Sequence, residues 1–434
     1  MIATRNLSAY CWRASNQTLN QTLNQTRSKR LLQMRLLVSA LSCNPSLGSE
    51  ALVGFKYAEA LSRRYETVII AAAPSQAPEG AALLTLNAGQ CSFNEVSAGP
   101  LLRFELRQQH IARRLRNQFP FDYVHRITPS AIQEPTWAGR LGKPLIIGPI
   151  IAADAPPLAF ARLLNRPVTP PKGPRWRPSR VAGRIYRTIV TRAEREQSYL
   201  HHAQRILVGS RTALRRVPEH LREKCRLVTY SGVEHEVFVP PLARPVTNTL
   251  SLLFVGRLIP YKGVELLLRA VEIAARRCSI KLDIVGGADP VYKNYLLRII
   301  QELRLESSVN FLAPVPRHQL PSLYQRADVF CFPTLCDTYG IALLEAMSCG
   351  CAVLVSDVAG AGEIVNGENG LKVRLDTPDE YIREYAEKIV ALAQNHELRA
   401  SLGERARKFI RREHDWDRIG DQVLAVYDEL EREK

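Results

Sequence analysis

The 434 residues are 46% apolar and 23% charged, enough to bury a substantial core and too many for one typical domain, so two domains are expected. Lys and Arg exceed Asp and Glu to give a formal charge of +17, which favours nucleotide phosphates, acidic lipids or nucleic acid as partners without choosing among them. No stretch approaches the roughly 18 uninterrupted apolar residues of a spanning helix, and nine cysteines without a CxxC pair point to a reducing cytoplasm rather than a disulfide scaffold.

Residues 1–33 repeat Asn-Gln-Thr in a polar, low-complexity run and are expected to form a disordered extension. The repeat creates sequons at Asn16, Asn20 and Asn24 that matter only in a secreted protein, and Met34 reads as an equally good start. The basic-then-apolar run from Arg27 to Cys43 loosely resembles a signal segment, but Arg35 interrupts it. The same residues read better as a buried strand, Leu36 to Leu41, followed by a turn at Gly48 and Ser49 and an amphipathic helix from Glu50 to Arg64. A strand from Val68 to Ala73 completes a βαβ unit, the opening of a parallel, doubly wound sheet. Further strands are expected at Tyr123 to Ile127, Leu145 to Ile147 and Ile206 to Val208, with a Pro/Arg-rich insertion from about Ala155 to Arg187.

This first domain is placed at residues 34–233, and the proline-bearing stretch 234–245 is the expected linker. The second domain, 246–414, repeats the pattern more cleanly. Strand-like LSLLFVGR, KLDIVGG, VNFLAPV, VFCFPT and AVLVSD alternate with helical segments, and helices rich in Glu, Arg and Ala follow Pro378. Cys331, Cys336, Cys349 and Cys351 fall within apolar, core-like patterns.

Two constellations carry chemistry. In FVGRLIPYKG, residues 254–263, a strand ends in Gly256 and Arg257 and a short loop delivers Lys262 at a helix start. A guanidinium and an ammonium outside the carboxyl end of a strand suit a diphosphate whose charge grows as a sugar departs; the alternative is a pair of solvated charges. In CFPTLCDTYGIALLEAMSCGCAVLVSD, residues 331–357, Gly340 stands where a helix begins. The amides of Ile341 and Ala342 and the positive helix end are thereby open to a phosphate. Asp337 falls on the loop and Glu345 about one and a half turns into the helix, so the two can reach a sugar hydroxyl and a ribose diol of one nucleotide sugar. Asp337 can equally cap the helix, but Glu345 among Leu343, Leu344, Ala346 and Met347 needs a partner.

These motifs resemble the family 4 retaining glycosyltransferases of the GT-B fold, an α/β architecture of two Rossmann-like domains facing across a cleft; the resemblance runs over residues 34–432. The family signature, an acid, seven residues and a Glu before an Ala-Met-x-x-Gly turn, stands here as Asp337, Glu345 and AMSCG. The first acid is usually Glu, and the shorter Asp337 leaves donor-sugar identity open. Arg257 and Lys262 match the diphosphate-binding pair, and Glu345 the ribose-binding residue. NGENG (366–370) and HDWDRI (414–419) also match, the latter implying a C-terminal helix, 415–434, that crosses back to the first domain. CNPSLGSEALVGFKYAEAL (43–61) resembles a subgroup whose Gly48 equivalent approaches the donor phosphates from the opposite domain. FDYVHRITPS (121–130) and GKPLIIGPI (142–150) match its strand-end His and Gly-Pro loop, which implies that His125 stands on the acceptor side of the reacting sugar.

The resemblance implies a retaining transferase using a nucleotide-diphosphate sugar, with no metal required and no DxD-like pair to hold one. The family's acceptors differ widely, so the resemblance leaves the acceptor open; a lipid-linked glycan or polysaccharide precursor of the cell envelope is the expectation. A nucleotide-sugar epimerase, a hydrolase and an inactive nucleotide-sugar-binding protein are the alternatives; no nucleic-acid motif accompanies the charge. Arginines at 103, 107, 113, 114 and 116, and at 175, 177, 180, 184 and 187 with Trp176 and Tyr186, suggest a peripheral site on the cytoplasmic face of an anionic membrane.

Overall fold

The structure, a computed structural model, describes residues 34–86, 98–165, 197–244 and 247–433. The N-terminal repeat and most of the Pro/Arg-rich insertion, with Arg175, Trp176, Arg177, Arg180, Arg184, Tyr186 and Arg187, lie outside these residues.

The first domain contains β1 (Arg35–Ala40), α1 (Ser49–Ser62), β2 (Glu66–Ala72), β3 (Ala81–Leu86), α2 (Ala98–Leu115), β4 (Tyr123–Thr128), β5 (Leu145–Ile150), β6 (Ala203–Val208), α3 (Arg211–Arg216) and β7 (Cys225–Leu227). Its strands form one parallel sheet in the order β3-β2-β1-β4-β5-β6-β7. Every residue of β4 and β5 is buried. Strands covered on both faces need continuous apolar runs rather than alternation, and YVHRIT departs from that at His125 and Arg126. Both ring nitrogens of His125 are partnered; Arg126 Nη2 donates to the Glu134 carbonyl, while its Nε and Nη1 have no hydrogen-bond partner among the described residues.

The second domain contains β8 (Thr249–Val255), α4 (Val264–Ala275), β9 (Ser279–Val285), α5 (Pro290–Glu302), β10 (Val309–Leu312), α6 (Leu320–Arg326), β11 (Val329–Phe332), α7 (Ile341–Ser348), β12 (Ala352–Ser356), α8 (Ala359–Ile364), β13 (Leu371–Val373), α9 (Pro378–Gln394) and α10 (His396–Glu413). Its parallel sheet runs β10-β9-β8-β11-β12-β13. The helix starts are written locally: Asp289 and Thr377 cap α5 and α9 with their side chains, and Pro290 and Pro378 occupy the first turn, where no amide is needed.

A last helix, α11 (Trp416–Arg432), leaves the second domain and lies on the first. Its apolar stripe, Ile419, Val423, Val426, Tyr427 and Leu430, is buried in the cluster that contains Val53, Tyr57 and Leu61 of α1. Arg63–Asp417 (2.7 Å), Arg64–Asp428 (2.5 Å) and Arg226–Glu429 (2.7 Å) flank that stripe. Residues 234–244 are not a free linker. Phe238 is buried, Ser348 Oγ donates to its carbonyl at 2.8 Å, and Arg244 donates to the carbonyls of Ala327 and Cys349. The start of the insertion also has a definite place: Phe160 is fully buried in the second domain's core, edge-on to Tyr381 at 6.2 Å.

Candidate active site

In each sheet the strand order reverses beside its first strand, between β1 and β4 and between β8 and β11. Loops diverge at such a switch point and leave a crevice at the carboxyl ends of the strands. The two crevices face one another and enclose a cavity of about 660 Å³. The second domain lines it with Gly256, Arg257 and Lys262 after β8, Arg317 after β10, and Asp337, Gly340, Ile341, Ala342 and Glu345 after β11. The first contributes Gly48 and Glu50 after β1 and Glu134 after β4.

Gly340 has φ +95°, and a Cβ there would stand 3.0 Å from the Phe332 ring, so the sharp entry into α7 needs glycine. The backbone of Gly340, not Asp337, occupies the cap position, and the first intrahelical bonds of α7 run to its carbonyl from Leu343 and Leu344. The amides of Ile341 and Ala342 therefore precede the helical ladder and point with the helix dipole toward the cavity. Asp337 instead pairs with Lys262, whose ammonium also lies 5.3 Å from the centre of the Phe332 ring. Arg257 Nη2 donates to the Tyr261 hydroxyl at 3.1 Å, which orients one face of the guanidinium. Gly48, at φ +66°, faces Arg317 across the cleft; a Cβ on it would meet Arg317 Cδ at 3.4 Å.

Glu345 is only 4% exposed. Its carboxylate accepts from Arg317 Nε at 3.2 Å and from the Tyr324 hydroxyl at 3.1 Å. Burial pushes its pKa up to about 7, against the lowering effect of the Arg317 charge. Arg317 reaches on to Glu234 with both terminal nitrogens, at 3.1 and 2.6 Å, and its guanidinium lies 4.9 Å from the centre of the Phe238 ring.

Two expectations are corrected. His125 is fully buried and is not among the cavity-lining residues. Its Nε2 lies 2.8 Å from the Gly148 carbonyl, which can only accept, so Nε2 carries the proton and Nδ1 accepts from the Tyr427 hydroxyl at 2.8 Å. Burial lowers its pKa to about 4. The ring is neutral and pins α11 to the first sheet. Cys336 is not a core residue: it is half-buried and lines the cavity, whereas Cys331, Cys349 and Cys351 are buried.

Three carboxylate or guanidinium groups at the site lie outside the two motifs that the sequence singles out. Arg317 follows β10 in VPRHQL, and a basic residue between a strand end and a helix start was the available signal. Glu50 and Glu134 form the first domain's charged wall. Glu50 accepts from the Ser130 amide and Glu134 from the Ala131 amide at 3.2 Å. Arg126, fully buried behind them, donates to the Glu134 carbonyl at 2.7 Å. Burial raises Glu50, and burial with the Glu50 charge raises Glu134 to about 7.

Two doubly wound domains closed over a cleft, with cationic side chains and a helix N-terminus on one wall, define a protein of the GT-B architecture. Residues 244–409 match the family model for glycosyl transferases group 1, so the second domain is a domain of that kind. Among curated proteins, the D-inositol 3-phosphate glycosyltransferase of Mycolicibacterium smegmatis is 30% identical over 251 residues, 54% of this chain and 55% of that protein. The chain thus spans about half the length of the curated relatives it matches. Sucrose-phosphate synthase from Thermosynechococcus elongatus superposes with a TM-score of 0.66 at 18% identity, over 93% of this chain and all of that one. Anabaena HepE in complex with UDP and glucose superposes at 0.60 with 17% identity, over 91% of this chain and all of that one. At such identities the likeness establishes the fold alone.

Proposed function

We propose that the chain is a glycosyltransferase that moves a sugar, with retention of anomeric configuration, from a nucleotide-diphosphate sugar to a glycan or lipid-linked acceptor. The observation that carries this reading is the convergence of Arg257, Lys262 and the amino end of α7 at the switch point of the second sheet, opposite Gly48. The diphosphate sits among these groups. Its charge grows as the glycosidic bond breaks, so Arg257, Lys262 and the amides of Ile341 and Ala342 stabilise the transition state more than the ground state. Lys262 is held by Asp337 beforehand, which keeps the ammonium in place, and Asp337 retains a second oxygen for a sugar hydroxyl. Glu345 takes the ribose diol. The acceptor lies against Glu50 and Glu134 and attacks from the face that the nucleotide leaves, with the cleft excluding water and fixing the approach.

The reading extends to location. Arg103, Arg107, Arg113, Arg114 and Arg116 are exposed on and just beyond α2, and each basic group near an anionic leaflet adds about 1 kcal/mol of attraction. Among the described residues no helix is long and apolar enough to cross a membrane. We place the enzyme peripherally on the cytoplasmic face, where a lipid-linked acceptor is presented.

Thermal-shift screening against UDP-, GDP-, ADP- and dTDP-sugars tests the donor class, because a ligand at 100 times its dissociation constant adds about 2.7 kcal/mol of stability. A selective shift by one nucleotide series is expected; no shift by any of them sinks the reading. Product analysis with donor alone then separates transfer from epimerisation or hydrolysis, and the anomeric configuration of a transferred sugar tests retention.

A further inference from the structure

We propose that Arg317 is a positioning residue of the donor site: by bridging Glu345 to Glu234 it fixes the Glu345 carboxylate in the cavity for the nucleotide. The inference rests on the ribose-binding reading of Glu345 given above. It deepens that reading by assigning a role to a residue outside the signature motif.

Glu345 cannot hold its own geometry. It is a buried carboxylate on an otherwise apolar helix, flanked by Leu343, Leu344, Ala346 and Met347, all fully buried. A carboxyl in such a place loses its proton reluctantly, and a protonated carboxyl accepts poorly from a diol. The groups that face it are Arg317 from the loop after β10, Tyr324 from α6, Glu234 from residues 234–244 and Cys349 just beyond α7, with Lys262 and Asp337 lining the same cavity. Of those that act directly on its titration, Glu234 opposes ionisation and the Tyr324 hydroxyl favours it; Arg317 is the cation, and its effect is the larger of the two favourable ones.

Arg317 is itself well placed for this role. Burial disfavours its charge, but Glu234 and Glu345 outweigh that cost and hold the guanidinium protonated. The fork is used in full: two nitrogens grip Glu234 and the third meets Glu345. With the Phe238 ring on one side and Gly48 against its aliphatic stem, the side chain has a single defined course along the cavity wall. A lysine at 317 keeps the charge but not the three-point grip.

The test is calorimetric titration of UDP, with ADP and GDP in parallel, from pH 5.5 to 8.5. Wild type, Arg317→Met, Arg317→Lys and Glu345→Gln are compared, with folding checked by circular dichroism. In the wild type, affinity for the tightest of the three is expected to rise with pH, bend near 7 and level off above about 8, as Glu345 ionises. In Arg317→Met the bend moves to higher pH. A displacement of one unit lowers affinity at pH 7 by about fivefold and leaves affinity at alkaline pH nearly unchanged. Arg317→Lys returns the bend toward its wild-type position. An unmoved bend with uniformly weaker binding overturns the proposal and leaves Arg317 as packing. Glu345→Gln is expected to bind weakly with no bend; wild-type affinity in that variant removes the donor role of Glu345 itself, whatever Arg317 does. If none of the three diphosphates binds the wild type, the donor reading falls and the inference with it.

Discussion

Replacing His125 by Gln tests whether α11 is fastened to the first domain as the structure shows. The imidazole makes two 2.8 Å hydrogen bonds in a fully buried site, one to Gly148 and one to Tyr427. Leaving either partner unsatisfied costs about 1 to 3 kcal/mol. The same burial gives the loss a pH signature. The folded-state pKa, about 4, lies below the ordinary value of 6.5, so the unfolded chain takes up a proton that the folded one refuses. The stabilisation is complete above pH 6.5 and is lost as pH falls from there toward 4. Integrating the proton uptake from pH 8 to pH 5 gives about 2 kcal/mol for this one group. Urea denaturation of wild type and His125→Gln at both pH values measures it: the variant is destabilised at pH 8, and the difference shrinks by about 2 kcal/mol at pH 5. A destabilisation independent of pH would mean that His125 titrates normally and is not sealed beneath α11, which would refute the reasoning.

Arg257→Ala is expected to lower kcat by roughly a hundred to a thousandfold in a steady-state transferase assay, because its partner charge is largest at the transition state; a change in KM alone would remove the leaving-group role. Glu363 of α8 accepts from the amides of Arg211 and Thr212, both at 2.7 Å, and so caps α3 across the domain boundary. Glu363→Ala should cost about 1 kcal/mol in the thermal transition of the first domain, and an unchanged transition would show the cap to be replaced by water. Sedimentation with anionic liposomes should carry the protein down at low salt and release it at high salt; equal partitioning to neutral liposomes would argue against the arginines of α2 as the contact.

Much of the fold is legible because parallel strands buried on both faces leave unmistakable apolar runs. LSLLFVG and AVLVS could hardly be anything else, and β8 and β12 occupy them. The motif residues of the second domain were legible for a related reason: Gly256, Arg257, Lys262, Asp337, Gly340 and Glu345 sit at strand ends, where chain order and spatial order coincide. Legibility fails where a partner is far away in sequence. AALLTL is a different case: it pairs as β3 with the nearby β2, and is too short and mixed to stand out between loops. A histidine at a strand end reads the same whether it faces a cleft or a hydroxyl 302 residues further on. Arg317 gains its meaning from Glu234, 83 positions earlier, and Glu345, 28 later, and Glu50 from the Ser130 amide across the first crevice. Cys336 looks apolar by its neighbours and is turned outward by the loop that presents Asp337.

The position of α11 bears on the order in which the molecule is assembled. During synthesis the first sheet emerges early, yet the helix that packs on Ala60 and Tyr65 and satisfies His125 is made only after the entire second domain. Domains made first ordinarily fold first. Here the first domain keeps an uncovered apolar seam until α11 is made, whereas the elements of the second, from β8 to α10, are contiguous and precede it. A chain stalled or cleaved before Trp416 would therefore carry a finished second domain joined to a first domain that exposes Ala60 and Tyr65, a form suited to capture by chaperones or to aggregation.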